Sequence, residues 1–273
     1  MTQQEKIKFL IQTLQNEMPE YAGYRIPKDE ASCWELLRGL FNVRPPYTAS
    51  EEFLKIQDEV LSQIVTDKGI TRVESLQPSK VDSRIYVWQG DITTLEVDTA
   101  VNAANNQMEG CWKMGHTCVD NNFHSFGGVQ MRCECHRQME ELRRQYGQDY
   151  VQPTAVPMIT PGYNLPAKNV IHIVGPIVYP FLTQEHREQL AECYRASLKM
   201  AADNDCESIA FCCISTGVFM FPQDRACEIA VETVREWLDQ NPESSVKKVV
   251  FNVYKDEDLR LYDARLNKKI RII

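Results

Sequence analysis

From about residue 83 onward, short β-rich runs alternate with amphipathic helical stretches. The predicted strands are 85–88, 99–101, 155–158, 170–174, 209–214 and 249–253, and the predicted helices lie near 123–145, 184–203, 222–239 and 256–268. This alternation is typical of an α/β fold, in which a largely parallel sheet is covered by helices on both faces. Because ligands of such sheets bind beyond the carboxyl ends of the strands, the loops that follow the strands are the expected place for function.

The first part of the chain, residues 1–82, is predicted to be a helical extension. Apolar residues recur at helical spacing within 7–18 and 27–42, and Thr-Ala-Ser-Glu at 48–51 resembles a capping box before a third helix. Nothing in these helices indicates chemistry. We therefore expect an appendage that packs on a main domain formed by residues 83–273.

Charge and hydropathy limit the class of partner and the compartment. The formal net charge of −8 does not favour broad electrostatic binding, so neither nucleic acid nor a membrane is an expected partner. Residues 1–18 are too polar for a signal peptide, and no run of about 18 apolar residues is present, so we expect a cytoplasmic protein. Disulfides are rare in that compartment, and Cys clustered with His indicates metal binding or reactivity.

Three loops that follow predicted strands have residues suited to nucleotide recognition. In Gly90–Thr93 a carboxylate can accept hydrogen bonds from an adenine amino group or a ribose hydroxyl, although a turn with a helix N-cap is an alternative. Asn102–Asn106 offers amides to sugar hydroxyls, with an Asn-rich turn as the alternative. In Ser215–Phe219, Gly217 permits backbone angles that turn N–H groups toward phosphate, and a helix from about Pro222 adds its positive end.

Five separated motifs occur in a familiar order: Gly90–Thr93, Val101–Asn105, His172–Pro176, Ser215–Phe219 and Phe251–Tyr254. Together they resemble the macrodomain family over about residues 84–270. The resemblance implies a three-layer α/β/α fold that binds ADP-ribose across the top of a mixed, largely parallel sheet. It implies that Asp91 holds adenine with Ile92 beside it, and that Asn105 contacts the distal ribose. The other implied ligand-binding residues are Ser215, Thr216, Gly217, Val218 and Phe219 at the pyrophosphate, and Tyr254.

A short loop after the second motif contains Cys111, His116 and Cys118, where many hydrolytic macrodomains carry a glycine run. Two thiolates and an imidazole suit Zn²⁺, and three protein ligands leave a fourth position open for water or substrate. The spacing resembles the zinc-dependent macrodomain subclass found in microbes, and the helical extension fits that subclass. A structural zinc ion that only staples the loop is the alternative.

The other clustered Cys and His residues are expected to be structural. The set at 133–136 lies in the predicted helix 123–145, where such close neighbours do not share a face. His172 is expected to be a strand residue without chemistry. For His124 two positions stay open, one near the cleft and one packed on the helix.

The resemblance implies a protein mono-ADP-ribosylhydrolase that cleaves the ester between ADP-ribose and an acidic side chain. Asp120 resembles the Val-Asp pair that supplies a catalytic carboxylate in the hydrolytic family, so Asp120 and Asn105 are the candidate catalytic residues. A helix N-cap is the alternative role for Asp120. Alternative functions are an ADP-ribose reader without turnover and an O-acetyl-ADP-ribose deacetylase. The subclass is often encoded beside a sirtuin-like transferase and a lipoyl-carrier protein, which implies such a modified protein as substrate.

Overall fold

The structure is a computed structural model that describes residues 1–267. In chain order the helices are α1 (Gln3–Glu17), α2 (Glu30–Val43), α3 (Glu51–Lys68), α4 (Val119–Gly127), α5 (Val129–Tyr146), α6 (Gln184–Asp203), α7 (Gln223–Gln240) and α8 (Asp256–Leu266). The strands are β1 (Thr71–Arg72), β2 (Ile85–Gln89), β3 (Leu95–Glu96), β4 (Thr99–Ala104), β5 (Met158–Pro161), β6 (Asn169–Val174), β7 (Ser208–Phe211) and β8 (Lys248–Val253). No helix within residues 1–267 is both long and apolar enough to span a membrane.

The central sheet has the strand order β2-β8-β7-β4-β6-β5. All of its neighbouring strands run parallel except β5, which is antiparallel to β6. Helices α6, α7 and α8 form one packed group that also touches the sheet at β2, β6 and β8, whereas α4 and α5 pack on each other and on β4 and β5. The predicted α/β fold with a mixed, largely parallel sheet is confirmed.

The N-terminal helices α1 to α3 pack around their own apolar cluster, in which Leu10, Leu37 and Val60 are fully buried. Ser50 is the N-cap of α3, and its hydroxyl accepts a hydrogen bond from the backbone N–H of Phe53. The capping box predicted at 48–51 is therefore wrong, because the helix begins two residues later than a Thr48 cap requires. The division of the chain at residue 82 stays a prediction.

Two predicted strands have different limits in the structure. The strand predicted at 155–158 begins only at Met158, because Ala155 has a positive φ of 63° and its N–H bonds to the carbonyl of Val174. The strand predicted at 209–214 ends at Phe211. In contrast, the predicted strand 99–101 continues to Ala104, so Asn102 lies within the sheet and not in a loop.

The helix predicted over 123–145 is two helices, α4 and α5, which Gly128 separates. Gly128 has a φ of 95°, and a Cβ there would lie 2.7 Å from Gln57 Nε2. The side chain of Gln57, from α3, accepts a hydrogen bond from the first N–H of α5, that of Val129, at 2.9 Å. The last predicted helix ends at Leu266, and its residue 268 lies outside the described part of the chain.

Candidate active site

The carboxylate of Asp120 is held by two amides from the end of β4. Its Oδ1 accepts a hydrogen bond from Asn102 Nδ2 at 2.8 Å, and its Oδ2 accepts one from Asn105 Nδ2 at 3.1 Å. Burial raises the pKa of Asp120 to about 6, although both amides favour the charged form. The N-cap of α4 is Cys118, so the alternative role of Asp120 as an N-cap is wrong.

His172 is linked to this carboxylate through Asn102. The parallel register of β4 and β6 pairs Asn102 with His172, and Asn102 Nδ2 also donates to His172 Nδ1 at 3.1 Å. Since Nδ1 accepts, the ring proton sits on Nε2, which donates to Thr160 Oγ1 at 3.0 Å. Burial lowers the pKa of His172 to about 3, so the neutral ring supports Asn102. Asn102 and His172 belong to two separate sequence motifs, and only the strand order brings them together.

His124 lies at the site, which answers the question that the sequence left open. Its Nε2 is 3.7 Å from Asp120 Oδ1, and neither ring nitrogen has a hydrogen-bond partner among residues 1–267. Burial lowers the pKa of His124 well below its usual value, so the ring is neutral. Gly110, at a φ of 82°, packs on the ring so closely that a Cβ would lie 2.7 Å from it. The side chain is thus fixed next to the carboxylate.

The three predicted metal ligands, Cys111, His116 and Cys118, converge in the loop that leads into α4. Their ligand atoms lie within 4.8 Å of one another, and Cys111 Sγ is 3.4 Å from His116 Nδ1. Burial, together with the neighbouring Cys111, raises the pKa of the Cys118 thiol to about 12. Both cysteines are free and half-buried. Two sulfur donors and one imidazole at this spacing fit Zn²⁺.

A second group that could hold a metal ion is His124, Cys135 and His172, all buried. Here both ring nitrogens of His172 already take part in hydrogen bonds within the protein, so neither is free to bind an ion. The donor set in the loop is therefore the better fit for a metal. The set at 133–136 does not converge, since Cys133 Sγ bonds to the carbonyl of Tyr47 and His136 pairs with Glu109.

Asp91 follows β2, which is an outer strand of the central sheet. It is the N-cap of a short 3₁₀ helix, Ile92–Thr94, and its Oδ1 accepts from the backbone N–H of Thr93 at 3.0 Å. Its Oδ2 pairs with Lys68 Nζ, from the end of α3, at 2.8 Å. Burial opposes ionisation, but the hydrogen bonds from Lys68 and Thr93 outweigh it and keep the pKa of Asp91 below its usual value. The N-cap alternative is thus confirmed, and the carboxylate remains charged.

The loop after β7 presents free backbone donors. Within the described residues the N–H groups of Ser215, Gly217, Val218 and Phe219 form no hydrogen bonds. Ser215 has a positive φ of 65°, and a side chain on Gly175 would overlap its buried hydroxyl. The loop leads into α7, which adds its partial positive charge, so this segment is built to receive an anion.

Two further predicted residues differ in exposure. Ile92 is buried beside Asp91, with 6% of its surface accessible. Tyr254 follows β8 and is 79% exposed, so its ring is free to contact a ligand at the rim.

Residues 101–230 match the family model of the Macro domain. A protein-ADP-ribose hydrolase of Treponema medium is 48% identical over 265 residues, which cover 96% of this chain and 98% of the relative. One from Staphylococcus aureus is 43% identical over 264 residues, with 96% of each chain covered. The crystal structure of a Trypanosoma brucei macrodomain in complex with ADP-ribose matches with a TM-score of 0.62 at 26% identity, over 80% of this chain and 91% of that one. The chain therefore belongs to the macrodomain family.

Proposed function

We propose that this macrodomain protein is a zinc-dependent protein mono-ADP-ribosylhydrolase that cleaves the ester between ADP-ribose and an acidic side chain. The chain matches protein-ADP-ribose hydrolases over nearly their full length, and it is therefore an enzyme of that class. Zinc dependence is supported by the position of the candidate metal ligands next to Asp120 in the chain. The loop with Cys111, His116 and Cys118 ends one residue before Val119, the first residue of the helix that holds Asp120.

The binding roles follow the order of the loops along the sheet edge. Asp91, charged and partly buried, accepts from adenine, with Ile92 beside it. The free N–H groups of the loop at 215–219 receive the pyrophosphate, and the exposed ring of Tyr254 covers part of the ligand. Asn105 then lies at the distal ribose, next to Asp120.

The metal group would be held by Cys111, His116 and Cys118, with a fourth coordination position open. Zn²⁺ held by these residues would supply Lewis acidity for the reaction. Asp120 accepts a proton from the attacking water, while Asn102 and Asn105 orient its two oxygens. The hydroxide that results forms a bond to the ester carbonyl carbon, and the bond from that carbon to the ribose oxygen breaks. The ribose oxygen takes the proton from Asp120, so ADP-ribose leaves as an alcohol, and the protein side chain is left as a carboxylic acid that ionises.

The wider biological assignment rests on the resemblance to the sirtuin-linked microbial subclass. We propose a lipoyl-carrier protein modified by a sirtuin-like transferase as the substrate. A cytoplasmic location accords with ten cysteines that are all free.

The test is release of ADP-ribose from a protein that is mono-ADP-ribosylated on acidic residues. The assay compares the native protein, chelator-treated protein and the variant Cys111→Ala, with zinc content and circular dichroism measured for each. Cys133→Ala is the matched control, because Cys133 is a half-buried cysteine outside the metal loop. We expect activity to require zinc and Cys111 while the fold is kept.

Other outcomes would replace the proposal. Tight ADP-ribose binding without turnover by the zinc-loaded protein indicates a reader. Faster release of acetate from O-acetyl-ADP-ribose than of ADP-ribose from protein indicates a deacetylase. Unfolding on chelation indicates a structural zinc ion.

A further inference from the structure

Arg38 of α2 reaches out of the N-terminal extension into the loop that contains the candidate metal ligands. Its side chain is buried, with 5% of its surface accessible. The Nη2 group donates to the carbonyl of His116 at 2.6 Å and to the side-chain oxygens of Asn121 and Asn122, each at 3.0 Å. A buried guanidinium that binds one of the three ligand residues directly is not explained by packing of the extension alone.

Asn121 connects Arg38 to the other two ligand residues through hydrogen bonds. While its Oδ1 accepts from Arg38, its Nδ2 donates to the carbonyls of Lys113 at 3.3 Å and Cys111 at 3.5 Å. Its backbone N–H donates to Cys118 Sγ at 3.4 Å, a contact that favours a negatively charged sulfur. Arg38 therefore contacts His116 directly, and Asn121 connects it to Cys111 and Cys118.

A second residue of α2 fixes the middle of the loop. Asn42 Oδ1 accepts from the backbone N–H of Gly115 at 3.0 Å, and its Nδ2 donates to Ser125 Oγ of α4 at 2.9 Å. Gly39, between the two contacts, allows Met114 to approach so closely that a Cβ would lie 2.8 Å from its terminal methyl. Residues 38–42 thus form one surface against which residues 114–116 are seated.

We infer that Arg38 and Asn42 are positioning residues for the metal site, so that the N-terminal extension is part of the site. The inference rests on the proposed function, which assigns a metal to Cys111, His116 and Cys118. Groups that orient metal ligands without touching the metal commonly change metal affinity by about 10- to 100-fold when they are removed. By linkage, zinc binding must in turn stabilise the packing of α2 on the loop.

The experiment measures zinc affinity by competition with a chromogenic chelator in the full chain. Arg38→Met keeps the volume of the side chain and removes its donors, Arg38→Lys restores one charged donor, and Asn42→Ala removes the bond to Gly115. We expect about 10- to 100-fold weaker zinc binding for Arg38→Met, with partial recovery in Arg38→Lys. The Co²⁺-substituted variant should also show altered d–d absorption, since the ligand geometry is loosened.

Gln57→Ala is the matched control, because Gln57 is also a buried polar residue that joins the extension to the macrodomain, but at Val129 and away from the loop. We expect lower thermal stability and unchanged zinc affinity. Hydrogen exchange of α2 should slow on zinc addition in the native chain and not in Arg38→Met. Should Arg38→Met fail to fold, Asn42→Ala provides the same comparison.

The outcomes separate this inference from the proposed function. Native zinc affinity in both Arg38→Met and Asn42→Ala overturns the role of the extension and leaves the metal site intact. Equal zinc binding by the native chain and Cys111→Ala refutes the metal site itself, and with it the inference.

Discussion

His172 makes the stability of the site depend on pH in a way that can be measured. The ring is fully buried, its Nδ1 accepts from Asn102, and burial lowers its pKa from 6.5 to about 3. Below about pH 6.5 an unfolded chain binds a proton at this residue, whereas the folded chain does not until the pH approaches 3. The stabilising contribution is therefore complete above the unfolded pKa and is lost as pH falls from about 6.5 toward 3.

The size of the effect follows from the two pKa values. Between about pH 7 and pH 5 the unfolded state gains about 0.7 of a proton at His172, and the integrated effect lowers the free energy of unfolding by about 2 kcal/mol. His172→Gln removes the titrating ring and keeps a neutral polar side chain of similar size. Over this pH range we expect the free energy of unfolding of His172→Gln to fall by about 2 kcal/mol less than that of the native chain.

The assay is denaturant unfolding at several pH values, with a chelator present throughout so that metal release does not contribute. Thr160→Val is the control, because it removes the acceptor of the His172 Nε2 proton and keeps the titrating ring. It should lower stability at every pH without changing the pH slope. Equal slopes in the native chain and His172→Gln would refute the reasoning that the buried ring stays neutral.

Three further substitutions probe the site and the fold. Asp120→Asn removes the basic carboxylate and should lower kcat by about 10²- to 10⁴-fold, while calorimetry still detects ADP-ribose binding. A loss of kcat under about tenfold contradicts the role of Asp120 as the base. Asp91→Ala should weaken ADP-ribose binding about tenfold or more and leave kcat at saturation largely intact, and an unchanged Kd in calorimetry rules out the adenine role. Gly128→Ala should lower the free energy of unfolding by about 1–3 kcal/mol, because φ is 95° and the new Cβ meets Gln57. Gly147→Ala, at a φ of 112° but with open space around it, should cost less in the same denaturation assay.

The sequence by itself was enough to predict those features that depend on local patterns. Alternating apolar strands and amphipathic helices predict the α/β fold. A parallel sheet that is covered by helices on both faces needs apolar strands and helices with one apolar side, whatever the order of the strands. The ligand set of Cys111, His116 and Cys118 lies within one short loop, so the sequence alone places the three residues near one another, although contacts from α2 hold the loop in its shape. Limits of elements were less predictable: the break at Gly128 depends on a backbone angle that contacts with Gln57 enforce.

Only the tertiary structure decided how the site is supported. Asn102 meets His172 because β4 and β6 are neighbours in the sheet, and the amide then has one proton for the ring and one for Asp120. Arg38 meets His116 because α2 packs over the loop, 78 residues along the chain. No local pattern in a sequence names the partner of a buried polar side chain, because that partner is set by which elements pack together. The sequence could therefore nominate the residues expected to perform chemistry, whereas the residues that hold them in place could be named only from the structure.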